Sequence, residues 1–586
     1  MSSIFYFFCL VFCLSGCFAI KKSEKKLNSV CHIFISLYFV MCYQVLAAVV
    51  LSFIPHGISI LTISVADFIL GLVCWGSVWR KKESQKYQLQ KVDVLAMGIF
   101  IALALFWGMH QFGTSLDIFN YRSTIDCTRH LLFARQFAVK HSLASIPFMA
   151  INTGLWFEAL YPFMHPYHDF KLIIRTDVAM IFMSSVMFWA LIRNHLKSNI
   201  HIIIGIIATV LYTSGFPVNN MVFGTSYLGA GVTCVIMVCI FISMYREDEI
   251  SIPLLGCGLV VSMIGLLKAY PLFFPIILVS VVIFLSHQFL EKKFHAQKWF
   301  RFSIPVLAVL CAICIVIIFE FMPYGDLTRE GYIYRNLFSH FVFLLPFLFY
   351  RIYWCIKENK IKLDYVMSLF GGLFVCALLI ATYIAKMSTY YYYKSYYLFW
   401  MMIFYVAVMV MVNLGCEALK MIAATFFTIS LIVFYSISGL ENKIQSTTEN
   451  RGKKINEGMT ISQFFDLHNW NYSKGDKRNM CISPEEQELF QKVAQLTEGE
   501  EIQTPYIGRY CYHQFCYYTM AYQWENESER LAYIDSDEFI ETVKEECKYL
   551  CLLYEEAGQS PWDISDYLAT LEIEYQNDAG IIYKVH

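Results

Sequence analysis

Charge is scarce in this chain. Asp, Glu, Lys and Arg make up 16% of its 586 residues against 58% hydrophobic ones, with a mean hydropathy of +0.51. An ordinary soluble domain carries about a quarter charged residues, so that class is excluded and a polytopic membrane protein is expected. Also missing are a Walker A sequence, a GxGxxG after a strand and an HExxH. Their absence removes the phosphate-cradling loop, the dinucleotide fingerprint and the zinc-protease helix from consideration. No tandem repeat is present. Cysteine is plentiful, at twenty residues, but most of it lies in apolar runs such as FFCLVFCLSGCF, where it behaves as a small hydrophobe. Five others, Cys481, Cys511, Cys516, Cys547 and Cys551, fall near the C-terminus without CxxC or histidine spacing, so no zinc site is read there.

What charge there is falls unevenly. Residues 441–586 hold 13 Lys and Arg against 27 acids, leaving 32 against 19 in residues 1–440, within a formal net charge of −1. Two differently built parts therefore meet near Gly439. The first has the balance of loops that face anionic lipid, and the acidic tail is unsuited to nucleic acid. Apolar runs long enough to cross a bilayer, about 18 to 25 residues each, appear at roughly 2–20, 29–53, 58–79, 92–109, 172–192, 199–216 and 221–244. More follow at roughly 252–267, 270–290, 303–322, 336–354, 364–385, 395–413 and 418–438, about fourteen in all.

The cation-rich connections KKSEKK at 21, RKKESQK at 80, RNHLK at 193, EKKFHAQKWFR at 291 and IKENKIK at 356 share one side of that count. The positive-inside rule makes that side cytoplasmic. The N-terminus, the 110–171 loop, the 323–335 loop, the KMSTYYYYK connection and the tail then face the other way. LSGC at 14–17 resembles a lipoprotein cleavage site, but the positive charges follow the apolar run instead of preceding it, so an uncleaved helix is expected.

Residues 441–479 are polar and irregular, a linker. From 480 to 586 the pattern is that of a soluble module. SPEEQELFQKVAQL opens a helix with Ser483 as cap, Pro484 at its first position and Glu486 closing a capping box. EIQTPYIG, KYLCLLYEE and GIIYKVH read as strands, with SDEFIETVKEE a helix between two of them. The expected fold class is an α-helical polytopic membrane protein over residues 1–440 with a small C-terminal extracytoplasmic α/β domain.

The first outer loop carries the densest chemistry, in TSLDIFNYRSTIDCTRHLLFARQFAVKHSLAS at 114–145. Read as a helix from about Ile118, it sets Arg122, Asp126, Arg129 and His130 on one side, with Phe133 and Phe137 continuing the stripe toward the membrane. A loop carboxylate, Asp126 first and Asp117 second, suits a general base, with Arg122 and Arg129 neutralising phosphate and His130 steadying Asp126. An interfacial helix whose charges pair locally would carry the same pattern. On the same expected face, Ser388, Tyr391, Tyr392 and Lys394 form a second set. Lys394 opens a membrane segment within reach of a lipid phosphate, and a tyrosine face can stack on a sugar, though interfacial tyrosines also serve as anchors. Asp67 in ISVADFILG and Asp177 in IIRTDVAMIF are ionisable groups in apolar runs, functional by default, and Asp177 has Arg175 and Lys171 nearby as structural partners. Lys268, Glu320, Asp326, Arg329 and Arg335 suit snorkelling at outer helix ends, and His165, His168 and Asp169 make a weak metal cluster.

On these residues the chain resembles the GT-C superfamily of membrane glycosyltransferases, which use polyprenyl-phosphate-linked sugars. The resemblance rests on the many membrane helices, the D-x-x-x-H run from Asp126 to His130, the S-x-YY-x-K type segment from Ser388 to Lys394, and the C-terminal module. It implies transfer, outside the cytoplasmic membrane, from a polyprenyl-phosphate sugar to a glycan, lipid or protein acceptor of the cell envelope, among membrane lipids and without nucleic acid. The leaving group is already an ionised phosphate, so one carboxylate base with cations suffices, unlike the paired carboxylates of glycoside hydrolysis, and direct attack inverts the anomeric carbon. Family members commonly write their loop acids as a modified DxD, whereas Asp117 and Asp126 are nine apart here. Which aspartate is the base stays open. No cofactor is expected, and use of a divalent metal also stays open because no clear motif for one is present. Two alternatives stand beside this reading. An O-antigen type polymerase or ligase keeps its main outer loop late and Arg-rich. A lipid-linked saccharide flippase or other transporter should show related halves, and none is visible.

Overall fold

The computed structural model describes residues 2–19, 27–81, 87–88, 90–112, 133–134, 137, 141, 148–160, 169–214, 226–291, 333–334, 344–357, 362–384, 389–437, 444–445, 484–497, 506–507, 535–554 and 562–586. Helix α1 (Ser2–Ala19) is followed by α2 (Ser29–Leu51), α3 (Ile60–Lys81), α4 (Lys91–Phe112), the short α5 (Phe148–Leu160), α6 (Asp169–Arg193) and α7 (Asn199–Ser214). Then come α8 (Ser226–Arg246), α9 (Ile252–Ala269), α10 (Phe274–Glu291), α11 (Leu345–Lys357), α12 (Leu363–Ile384), α13 (Thr389–Asn413) and α14 (Glu417–Ile437). Among the described residues eight helices, α1 to α4, α6, α8, α9 and α13, are long and apolar enough to cross a membrane. Asn199–Ser214, Pro271–Ser286 and Leu363–Leu378 are apolar but shorter. The expected count of about fourteen is not reached within the described residues, and the 303–322 run lies outside them.

The helices wear their apolar side chains outward. Ile4, Phe8 and Val11 of α1 are exposed while Tyr6, Cys9 and Cys13 are buried, and α3 exposes Leu61, Ile69 and Val73 while burying Ser64 and Asp67. Such a surface is unfavourable in water and suits a hydrocarbon solvent, which also drives ionisable groups inward. Close approach of α1 and α3 depends on a small residue: a Cβ at Gly71 would stand 2.6 Å from a ring carbon of Phe12. Between α9 and α10 the chain breaks at Tyr270, whose extended backbone (φ −152°) precedes Pro271 and a single 3₁₀ turn, Pro271–Phe273.

Polar contacts sort the helix ends into two groups. At one end, Asp93 accepts from Arg193 Nε at 2.7 Å and from Trp189 Nε1 at 2.9 Å, joining the start of α4 to the finish of α6. Asn194 donates to Glu247 at 3.2 Å, and Lys420 Nζ lies 2.7 Å from His201 Nε2. Arg351 grips Asp364 through Nε and Nη2 at 2.6 and 3.0 Å, and Asp364 lies close enough to His195 to act on it electrostatically. Strand β1 (Leu27–Asn28) pairs with β2 (Tyr87–Gln88). These contacts gather the ends of α6 and α8 with the starts of α4, α7, α12 and α14 at one end of the bundle. The starts of α3, α6, α8 and α13 therefore lie at the other. Strand β3 (Ile333–Tyr334) pairs antiparallel with β4 (Ile444–Gln445).

The C-terminal part holds α15 (Pro484–Leu496), β5 (Tyr506–Ile507), α16 (Ser536–Glu546), β6 (Tyr549–Leu553), β7 (Glu572–Gln576) and β8 (Gly580–Lys584). The sheet order is β5-β6-β8-β7, with β5 parallel to β6 and the other pairs antiparallel. Helix α16 spans the whole expected SDEFIETVKEE stretch because Asp535 caps it, accepting from the Glu538 N–H at 2.9 Å. Phe539 on its inner face stacks on Trp562 at 4.0 Å. Strand β7 is absent from the sequence expectation. It is an edge strand with mostly exposed residues, so no apolar alternation marks it. Cys547 and Cys551 are buried free thiols, and burial pushes the Cys547 thiol up to about 12.

Candidate functional site

Of the residues that sequence reasoning singles out, Asp117, Arg122, Asp126, Arg129, His130 and Ser388 lie outside the described residues, as do His165 and His168. Phe133 and Phe137 are helical, and Phe137 is fully buried. Helix α13 begins at Thr389, earlier than the expected start near 395, because neither glycine nor proline interrupts TYYYYK. Tyr391, Tyr392 and Lys394 thus occupy its opening turns instead of a connection. Tyr391 is buried, and Lys394 is only 4% exposed. Its ammonium stands 5.4 Å from the ring centroid of Tyr397, a cation–π distance. Asp177 is buried near the start of α6, where Arg175 is exposed. Lys268 is half-buried in the last turn of α9, where it also favours the helix dipole.

A different carboxylate lies at the same end of the bundle. Helix α5 lies between α4 and α6 in the chain, packs against α1, α2, α6, α8 and α9, and carries Glu158. The Glu158 carboxylate faces the backbone N–H of Ile60 at the start of α3, where unpaired amides and the helix dipole favour an anion. His141 Nδ1 lies 4.0 Å from Glu158 Oε2, beyond hydrogen-bonding reach. Both atoms are buried and neither has a hydrogen-bond partner among the described residues. A hydroxyl oxygen about 2.8 Å from each would fill that gap, donating its one hydrogen to the carboxylate and accepting from the imidazole N–H. Other atoms of the two side chains are partly open, at 36% and 23% exposure.

Two features fix this pair. The His141 backbone sits at φ 50°, a left-handed conformation uncommon for a residue with a side chain, and its N–H closes a helical turn on Phe137 O at 3.0 Å. Across from it, Gly154 lets α5 approach: a Cβ there would meet Ala134 O and a Phe137 ring carbon at 2.7 Å each. Burial raises the Glu158 carboxyl above the ordinary glutamate range, opposed by His141 and by the Ile60 amide. A carboxylate raised in this way is a stronger proton acceptor once ionised.

Helices α5 and α13, which carry Glu158 and Lys394, both pack on α6 and α8. Sequence reasoning passes over Glu158 because FMAINTGLWFEAL is too short for a membrane span and its single acid has no charged neighbours. That isolation in an apolar stretch is itself the signal. Among the described residues no group of three or more His, Cys, Asp or Glu could hold a metal ion. No family model, curated protein or solved structure matches the chain.

Proposed function

We propose that the protein is a membrane glycosyltransferase that moves a sugar from a polyprenyl-phosphate donor to a hydroxyl of a cell-envelope acceptor, at the outer face, with inversion. The observation that carries this reading is the Glu158–His141 pair, with two unpartnered atoms 4.0 Å apart at the bundle end that also holds Lys394. An acceptor hydroxyl seated there gives its proton to Glu158 as its oxygen bonds to the anomeric carbon. The bond from that carbon to the phosphate oxygen breaks, and polyprenyl phosphate leaves with the electron pair. Lys394, with Arg122 and Arg129 of the same loop, neutralises the phosphate. Asp126 and Asp117 remain the loop's alternative bases, with His130 beside Asp126. Tyr391 and Tyr392 on the first turn of α13, and Ser388 just before it, are the sugar-side contacts. The C-terminal sheet domain sits on the same outer side.

The test uses the full chain in proteoliposomes, supplied with polyprenyl-phosphate sugars and an acceptor fraction. Release of polyprenyl phosphate together with glycosylated acceptor supports transfer, and Glu158→Gln is expected to lower the rate at least a hundredfold. Unchanged turnover in both Glu158→Gln and the Asp117→Asn/Asp126→Asn double variant removes every base named here. The buried Asp67 favours one other reading, a lipid-linked saccharide transporter. It is recognised in the same assay by movement of the lipid-linked sugar across the bilayer with no bond cleaved.

A further inference from the structure

Between α1, α2 and α3 lies a set of polar side chains that the proposed transfer does not use. Asp67 is fully buried, seven residues and about 10 Å along α3 from Ile60. Gln44 Nε2 donates to Asp67 Oδ2 at 2.8 Å and to Tyr6 Oη at 3.2 Å, and the Trp156 side chain from α5 also bonds Tyr6. With both donors directed at its oxygen, the Tyr6 O–H is left to donate elsewhere. Asp67 Oδ1 has no hydrogen-bond partner among the described residues. The titratable groups near it are Tyr6 and Cys9 from α1 and Tyr43 from α2, with Glu158 of α5 beyond Tyr6. None of them is a cation, and no Lys, Arg or His among the described residues acts on Asp67.

An unpaired carboxylate in such a place is unfavourable by several kcal/mol, and a bare charge there must be neutralised. Gln44 supplies only a neutral amide to one oxygen. Among the described residues no cation balances it. We propose that Asp67 is an exchangeable site for a single monovalent cation, a proton or an alkali ion of sodium size, held at Oδ1 beside Tyr6 between α1 and α3. Filling and emptying it changes the charge buried at the α1–α3 contact by one, which links the packing of these helices to an ion gradient across the membrane. The inference is independent of the transfer reaction.

The experiment follows the thermal unfolding of the full chain in nanodiscs, wild type against Asp67→Asn, over a range of pH with and without sodium. A hydrophobic carbodiimide, which modifies neutral carboxylic acids from within lipid, is used in parallel with peptide mass spectrometry. A proton bound by the folded state makes wild-type stability fall as pH rises, because the unfolded state then binds fewer protons than the folded one. Asp67→Asn lacks that fall, and modification of Asp67 at low pH disappears at high pH whether or not sodium is present. For a sodium site, sodium at fixed pH raises the wild-type midpoint but not that of Asp67→Asn, and protects Asp67 from modification. Identical responses of the two proteins to pH and to sodium would overturn the proposal and leave Asp67 a fixed polar lock between helices.

Discussion

Arg351 and Asp364 show how strongly a single buried charge is committed to its partner. The guanidinium is 4% exposed and holds the carboxylate through two hydrogen bonds. Arg351→Met should destabilise the chain by about 3 to 5 kcal/mol, because Asp364 is left charged and buried, while Arg351→Met with Asp364→Leu should recover much of that loss in a thermal-unfolding cycle. Glu158 gives a different signature. Its carboxyl is raised by burial, so the folded state holds this proton to higher pH than the unfolded chain does. Stability from this group is present below the ordinary glutamate range and is lost as pH rises through the raised value. Transfer, which needs the ionised form, should rise over the same interval, and Glu158→Gln should flatten both profiles. His141→Gly should hold or raise stability by relieving the left-handed backbone while the transfer rate falls. Only part of this chemistry was legible in the sequence. Lys394 and Asp67 stand out as charges in apolar runs, whereas His141 and Glu158 become a pair only once seventeen residues of chain return to one place.

At the scale of elements, helices long enough to cross a bilayer could be read from apolar runs, because hydrocarbon tolerates no unpaired backbone and demands length. The errors fall where that rule has no grip. Helix α5 is 13 residues long and buried among its neighbours, so its run looks like loop. The opening of α13 is polar in sequence yet helical, since tyrosine and lysine do not end a helix, and Tyr391 and Lys394 are buried there. Strand β7 is held by its antiparallel partner β8 and by Asn577, whose Oδ1 accepts from the Ala579 and Gly580 amides at 2.9 and 3.2 Å. Two predictions belong here. Gly154→Ala should force α5 away from Ala134 and Phe137, destabilising by about 1 to 3 kcal/mol in thermal unfolding and lowering transfer together, since the shift also moves Glu158. Asp535→Ala removes the cap of α16 and should weaken it by about 1 kcal/mol, seen as roughly fivefold faster amide exchange at its first turn.

For the whole molecule, the distribution of cations in the connections anticipates the grouping of helix ends. Asp93–Arg193, Asn194–Glu247, Lys420–His201 and Arg351–Asp364 mark one end, and Glu158, His141 and Lys394 lie at the other. Periodicity could not supply this, because every span looks alike. Loop charge could, because it reports which ends share a compartment. That second end offers a carboxylate, an imidazole and a buried cation, the groups that the proposed transfer uses. The most direct measurement is the release of polyprenyl phosphate from a polyprenyl-phosphate sugar by the reconstituted full chain, wild type beside Glu158→Gln. The account predicts acceptor-dependent release by the wild type and a loss of at least a hundredfold in the variant. Equal release by the two proteins would contradict the placing of the base at Glu158, and no release by the wild type with any such donor would contradict the transfer itself.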